Sequence, residues 1–322
     1  MQDIKIASVV SNEFEKEVYS GLTDHPKHLS SKYFYDKKGD RLFQDIMAMP
    51  TYYLTDCEYD ILENNKKEIT ELFTGFGTFD LIELGAGDGK KTKILLKEFS
   101  DKNIDFSYVP IDISNNALNQ LQNSIENELP KVNIQPFQGT YFEALKEISS
   151  RKNRKIILFL GSNIGNLEHE QAIDFMNNIK ELMQQDDLLF MGFDQKKNPQ
   201  TILDAYNDQE GVTAAFNKNV LARINTELNA NFDLEQFLHW EVYNPETGSA
   251  KSYLVSKIQQ TVQIENLELT VNFKQWETIH TEISQKYDDE IINWLARQSG
   301  LEMTTAYQSK KYGYKNCVFK KS

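Results

Sequence analysis

The chain of 322 residues is poor in the residues that staple, kink or anchor a protein. It has two cysteines, Cys57 and Cys317, which excludes a disulfide framework. Its histidines are His25, His28, His169, His239 and His280, and neither a His-Glu-x-x-His run nor a cysteine pair accompanies them, so no metal centre is expected. No apolar run reaches the ~18 residues that a membrane span requires. The start, Met1-Gln-Asp-Ile-Lys, lacks the apolar core of a secretory signal, and cytoplasmic residence away from membranes is the expectation. Only 7 prolines occur, with no internal repeat, low-complexity tract or Pro/Gly/Ser-rich linker. Basic residues are also outnumbered, 35 against 48 acids for a net charge of −13, and they are scattered. That deficit argues against nucleic acid as a partner and leaves a small molecule as the better fit, with no obligate protein partner evident. Length and an apolar content of 40% are ample for one large domain or two intimate ones.

What the sequence does have, from residue 79 onward, is an alternation of short apolar runs with amphipathic stretches, the pattern of a parallel sheet flanked by helices. Strands are expected over 79–85, 107–113, 132–138, 155–161 and 188–194. Ser114 can cap a helix bearing Leu118, Leu121 and Ile125, and Asn166 can cap one bearing Ala172, Phe175, Met176 and Ile179. The alternation stops after Asp194. Residues 199–230 read as helices, Gly248 separates strands over 237–243 and 252–263, and a third apolar run covers 267–273. These form an insertion, after which a helix capped near Asp288 and a closing hairpin through 303–307 and 316–319 complete the first pattern.

The most informative segment is Leu81-Ile-Glu-Leu-Gly-Ala-Gly-Asp-Gly-Lys-Lys-Thr92, where an apolar strand enters a loop with glycine at 85, 87 and 89. Alternate glycines between strand and helix let a nucleotide-like ligand approach the backbone closely. Tyr108-Val-Pro-Ile-Asp112 then places a carboxylate at the end of the next strand, where a ribose would lie. A dinucleotide site prefers G-x-G-x-x-G, whereas the spacing here is G-x-G-x-G. Glu83 and Asp88 would repel a pyrophosphate and suit a cationic sulfonium, which favours S-adenosylmethionine over NAD; a merely structural turn is the alternative.

Because ligands of open α/β sheets lie beyond the carboxyl ends of the strands, Gly85, Asp112, Gly139–Tyr141 and Gly161–Asn166 should converge on one rim. Elsewhere, Thr278-Ile-His-Thr-Glu-Ile-Ser284 as an extended chain points Glu282 and Ser284 to one side, either toward an imidazole or amine or into water. The aromatics of Tyr33-Phe-Tyr35-Asp36, Phe43 and Pro50-Thr-Tyr52-Tyr53 could enclose a cation or simply pack, and Tyr206 has the same two readings.

Taken in order, Tyr33–Asp36, Gly39–Phe43, Pro50–Tyr53, Glu83–Gly87, Phe159–Asn166, Gly211–Asn217 and Thr281–Ser284 resemble the histidine-specific Nα-methyltransferase family, which makes hercynine for ergothioneine biosynthesis. The resemblance runs from about residue 28 to the C-terminus. It implies an α/β fold, a class I methyltransferase Rossmann-like sheet with a discontinuous second domain: residues 1–57 and 197–286 for substrate, 58–196 and 287–322 for S-adenosylmethionine. By motif matching, Tyr52, Asn166 and Tyr206 would hold the amino and carboxylate groups of the amino acid, with Gly161 and Phe43 beside them, and Glu282 and Ser284 would meet an imidazole. Gly85, Lys91 and Asp112 would hold the cofactor, Thr140 and Tyr141 would lie at its adenine, and Tyr35 would close over it. Tyr35, Tyr52 and Asn166 would be the catalytic residues. Two departures stand out: Thr140 where the family usually has Asp, and Ser252 in the substrate pocket where members often have Met. The implied activity is successive SN2 transfer of methyl groups to the α-nitrogen of L-histidine. The rivals are methylation of another amino acid such as a tryptophan derivative, or non-catalytic binding of cofactor or amino acid.

Overall fold

Strands buried along their whole length and mostly apolar dictate the architecture, because a strand without a solvent-facing side must be covered on both sides. The computed structural model describes residues 10–75, 77–141, 143, 146, 149 and 151–322; the N-terminal stretch read above for a leader lies outside them. The chain divides into two compact units, Met1–Tyr52 with Asn198–Ser284, and Tyr53–Lys197 with Gln285–Ser322. It begins in the first with α1 (Glu13–Thr23), β1 (Lys27–His28) and α2 (Lys37–Ala48). It then builds most of the second: α3 (Tyr53–Thr74), β2 (Phe79–Leu84), α4 (Lys93–Asp101), β3 (Phe106–Asp112), α5 (Asn115–Glu128), β4 (Asn133–Ile134), β5 (Phe137–Gln138), β6 (Arg154–Phe159), α6 (His169–Leu182) and β7 (Leu188–Asp194). The insertion returns to the first unit with α7 (Pro199–Tyr206), α8 (Val212–Leu228), β8 (Phe237–Asn244), β9 (Ser249–Ser256), β10 (Gln260–Ile264), β11 (Leu269–Phe273) and β12 (Thr278–Gln285). Finally α9 (Asp289–Gln298), β13 (Leu301–Gln308) and β14 (Tyr314–Lys321) complete the second.

In the second unit the strand order is β13-β14-β7-β6-β2-β3-β4, with β5 beside β3. Strand β2 pairs in parallel with β3 on one side and β6 on the other, β7 runs parallel to β6, and β14 is antiparallel to both β7 and β13. Every residue of β2, β6 and β7 is buried. The core joins Ile82, Ile157 and Met191 of the sheet to Phe175 and Met176 of α6 and Leu295 of α9. This is the class I methyltransferase arrangement, a mainly parallel sheet closed by a C-terminal hairpin. In the first unit, β1-β12-β9-β8 form a sheet and β10 pairs antiparallel with β11. Phe237, Leu254 and Ile279 from the sheet pack with Phe216, Val220 and Ile224 of α8.

Two expected strands are divided. The run over 132–138 becomes β4 and β5 because Pro136 has no N–H for the ladder; the chain is instead held by Gln135 N–H donating to the Tyr108 carbonyl at 2.8 Å. The run over 252–263 turns after Ser256, whose hydroxyl donates to the Ile258 carbonyl at 2.8 Å, and β10 leaves the sheet. The alternation keeps one phase across this corner, since Leu254, Ser256, Val262 and Ile264 are all buried, so periodicity carried no mark of it. Among the described residues no helix is long and apolar enough to cross a membrane, and no group of three His, Cys, Asp or Glu side chains could hold a metal ion.

A buried ion pair fixes β6 to the loop before β7: Lys155 Nζ lies 2.9 Å from Asp187, which also accepts the N–H groups of Lys155 (2.6 Å) and Gln184 (2.7 Å). Removing one charge of such a pair strands the other, so D187N should cost about 3 kcal/mol or more in urea unfolding. A loss near zero would show that the pair is not needed.

Candidate functional site

The loop after β2 is built by three glycines at φ +73° (Gly85), +54° (Gly87) and +63° (Gly89), values that L side chains rarely adopt. The N–H groups of Gly85 and Ala86 donate to the Ile111 carbonyl at 2.8 and 3.1 Å, tying the loop to the end of β3. Gly87 N–H donates to Asp112 Oδ2 at 2.9 Å and Ser114 N–H to Oδ1 at 2.9 Å, so the Asp112 carboxylate is held by backbone at the rim. A Cβ added at Gly87 would meet nothing within 4 Å, while one at Gly85 would lie 2.9 Å from both Tyr141 Oη and Asn163 Nδ2. One side of the turn is therefore open and the other closely lined. The Tyr141 ring packs on Phe159 and Phe175 at 5.3 and 5.8 Å, and burial raises its hydroxyl far above the ordinary value. At Thr140, the N–H and the hydroxyl both donate to Glu143 Oε2 at 2.9 Å, so a carboxylate stands beside the residue that departs from the family pattern.

The two acids of this loop do not face a ligand as their sequence position suggests. Glu83 faces inward, only 3% exposed, and accepts from the hydroxyls of Thr92 (2.5 Å) and Tyr108. On an all-buried strand an acid can only turn toward polar neighbours, so Glu83 braces the loop and presents no charge to a ligand. Asp88 is exposed and bonds its own turn through Lys90 N–H at 3.0 Å. The carboxylate that remains on the rim is Asp112.

Beyond β6, Gly161 and Ser162 have φ of +73° and +57°, a sharp turn that leads into one 3₁₀ turn over Asn163–Asn166. Gly161 N–H donates to Glu58 Oε2 at 2.7 Å, and Lys91 Nζ is paired with the same carboxylate. Asn166 is exposed and does not cap α6: the N-cap, Glu168, lies two residues later, its N–H donating to Gln171 Oε1 at 3.1 Å.

The first unit gathers the other candidates. Tyr35 packs edge-on to Phe43 at 5.5 Å, Phe43 meets Tyr52 at 6.4 Å, and Tyr52 meets Tyr206 at 6.1 Å. Phe216 of α8 completes this cluster, 5.4 Å from Tyr35 and 5.7 Å from Phe43. It was missed because an apolar residue on a core-facing helix gives no separate signal. Tyr206 Oη and Ser284 Oγ are hydrogen-bonded at 2.8 Å, and the Tyr206 carbonyl meets His239 Nε2 at 3.0 Å. Burial keeps His239 below its ordinary pKa. Asp208 accepts the N–H groups of Val212 (2.9 Å) and Thr213 (2.8 Å), fixing the loop from Tyr206 into α8. Glu282 is half-buried and shares its phase of β12 with His280 and Ser284. Ser252 takes the buried phase of β9 and donates to Glu241 Oε2 at 2.6 Å across the register pair Glu241–Ser252.

Gly85, Lys91, Asp112, Thr140, Tyr141, Gly161 and Asn166 thus belong to the second unit, and Tyr35, Phe43, Tyr52, Tyr206, Ser252, Glu282 and Ser284 to the first. Sequence reasoning missed Glu58 as well as Phe216, since an acid within an amphipathic helix reads as surface. Glu83 carries a pH test. Burial raises its pKa to about 7 against the opposing hydroxyl bonds of Thr92 and Tyr108, from an ordinary value of 4.5. The folded state thus holds this proton more tightly than the unfolded state, and the associated stability is complete below 4.5 and lost as pH rises through about 7. Urea melts of E83Q and the unsubstituted chain should show the gap moving in favour of E83Q between about pH 5 and about pH 8; a constant gap would contradict this.

The sequence model of a family described as histidine-specific, SAM-dependent methyltransferases matches residues 14–321. A histidine N-alpha-methyltransferase of Mycolicibacterium smegmatis is 35% identical over 298 residues, covering 92% of this chain and 92% of that protein. One of Mycobacterium tuberculosis is 35% identical over 286 residues, 89% of this chain and 88% of that protein. Ergothioneine biosynthesis protein 1 of Schizosaccharomyces pombe is 30% identical over 304 residues, 91% of this chain but 39% of that protein. With a glycine turn, a backbone-held acid and a lysine on the second unit, and the match spanning both units, the chain belongs to the histidine-specific, SAM-dependent methyltransferase family.

Proposed function

We propose that this enzyme transfers methyl groups from S-adenosylmethionine to the α-nitrogen of L-histidine, in three rounds, to give Nα,Nα,Nα-trimethylhistidine, hercynine. The observation that carries this reading is the likeness to histidine N-alpha-methyltransferases over 92% of both chains, joined to a first unit that sets Tyr206 and Ser284 in one hydrogen bond.

The residues of the second unit fit the cofactor. Asp112 suits a ribose diol, the open side of Gly87 admits a ligand against backbone, Lys91 suits a carboxylate, and Tyr141 with Thr140 suits an adenine. When bound, S-adenosylmethionine supplies a methyl group on a sulfonium with a neutral leaving group. The chain's part is to present a neutral amine, because an α-ammonium has no lone pair to offer. By the family resemblance, Tyr52, Tyr206 and Asn166 would orient the amino and carboxylate groups, and the Asn166 side chain is not spent on capping α6. Gly161 would let the backbone come close. Tyr35 and Phe43, joined by Phe216, would face the travelling positive charge. Glu282 would accept the imidazole N–H, and Ser284 would link the ring end to Tyr206. Ser252, bonded to Glu241, would shape the pocket wall.

Incubation of the protein with histidine and S-adenosylmethionine should give a product heavier by three methyl-for-hydrogen exchanges in mass spectrometry. Methylation of another amino acid with histidine untouched would overturn the assignment. A second test addresses Glu282. Losing the hydrogen bond from the imidazole to this half-buried carboxylate costs about 1–3 kcal/mol, so phenylalanine should bind roughly one to two decades worse than histidine, and E282A should narrow that ratio. An unchanged ratio would remove Glu282 from the ring site.

A further inference from the structure

Glu58 lies on α3 with no exposure at all, an expensive place for a carboxylate unless every lone pair is used. They are used. Oε2 accepts from Lys91 Nζ and from Gly161 N–H at 2.7 Å; Oε1 accepts from Tyr314 Oη at 3.0 Å and Asn316 Nδ2 at 2.7 Å. Four separate segments converge on one group: α3, the loop after β2, the loop after β6, and β14. The fold also keeps room for it, because a Cβ at Gly192 of β7 would sit 2.4 Å from Glu58 Oε1 and 2.3 Å from Tyr314 Oη.

The two groups on Oε2 are the informative ones. Lys91 closes the glycine loop, Gly161 opens the loop after β6, and a Cβ at Gly161 would lie 3.5 Å from Lys91 Nζ. A lysine has four rotatable bonds, and holding its ammonium in place before a ligand arrives removes an ordering cost from binding. Its ammonium has three donors, and Glu58 needs one of them. An ammonium anchored from below in this way can turn its remaining donors toward a second anion. Being fully buried, Glu58 acts through Lys91 rather than on a ligand.

We propose that Glu58 is the positioning residue for the cofactor's amino-acid end: it fixes Lys91 to receive the methionyl carboxylate and locks Gly161 beside it. This rests on the assignment of Lys91 to that carboxylate. The probes are S-adenosylhomocysteine, which carries the amino-acid arm, and 5′-methylthioadenosine, which lacks it. By calorimetry on folded protein, E58Q should weaken S-adenosylhomocysteine roughly 10- to 100-fold, the effect of losing a charge-assisted hydrogen bond, and leave 5′-methylthioadenosine unchanged. The KM for S-adenosylmethionine should rise with kcat retained. Equal losses for both probes would mean a general structural role, and no loss for either would mean no role; both overturn the proposal. Should E58Q not fold, Tyr314→Phe removes one of the four donors and should weaken S-adenosylhomocysteine alone by roughly threefold, with the same two outcomes against it. Lys91→Met separates the premises. If it leaves S-adenosylhomocysteine affinity intact, the assignment of Lys91 fails, whereas weakening there with none in E58Q sinks only the inference about Glu58.

Discussion

Everything at the candidate cofactor site follows from the pairing of β2 with β6. From β2 the chain runs outward through β3 to β4, then returns to the opposite side of β2 to lay down β6 and β7. The loops that leave β2 and β6 must therefore diverge, and a crevice opens at their carboxyl ends. The glycine turn lines one side, the Gly161–Ser162 turn the other, and Asp112 stands at the end of the next strand. All-buried strands fix where the loops begin, and hydrogen bonds such as Gly87 N–H to Asp112 then set the polar groups at their tips.

Much of that was legible from residue order alone. The apolar runs within β6 and β7 and the apolar majority of β2 announce a doubly covered sheet, and the glycine triplet announces its ligand turn. The insertion was visible as the place where the apolar alternation stops. What could not be read was direction. Glu83 and Asp112 both sit near strand ends, yet one is turned into the core by Thr92 and Tyr108 and the other is held at the rim by Gly87 N–H. Asn166 satisfied the local rule for a cap, but the Glu168–Gln171 pair two residues on takes that task. Local patterns name the candidates; tertiary partners decide among them.

Residues missed in the sequence share a physical cause. Glu58 lies in a helix with several other acids, and its burial arises from β14, which is laid down at the far end of the chain. Phe216 joins the aromatic cluster from α8, and its partners Tyr35 and Phe43 come from the N-terminal segment. Long-range partners of this kind leave no periodicity, so motif resemblance reached residues that hydrophobic pattern could not.

The distribution of charge also falls into place. Of the buried acids, Asp187 faces Lys155, Asp194 faces both Lys286 and Lys197, and Glu58 faces Lys91, while Glu83 is held by hydroxyls. The net charge of −13 is therefore carried by the surface, where it raises the local concentration of small cations. On the proposed function both substrates arrive as cations at nitrogen or sulfur, but the amine must shed a proton before it can react. An aromatic cluster such as Tyr35, Phe43, Tyr52, Tyr206 and Phe216 strips water from an ammonium and lowers its pKa, while its ring faces still favour the methylated cation, which has fewer or no N–H bonds to lose. The acidic exterior would therefore favour the cationic cofactor more than histidine, whose own carboxylate offsets its ammonium, and on the proposed function the ring wall would make the neutral amine the better guest.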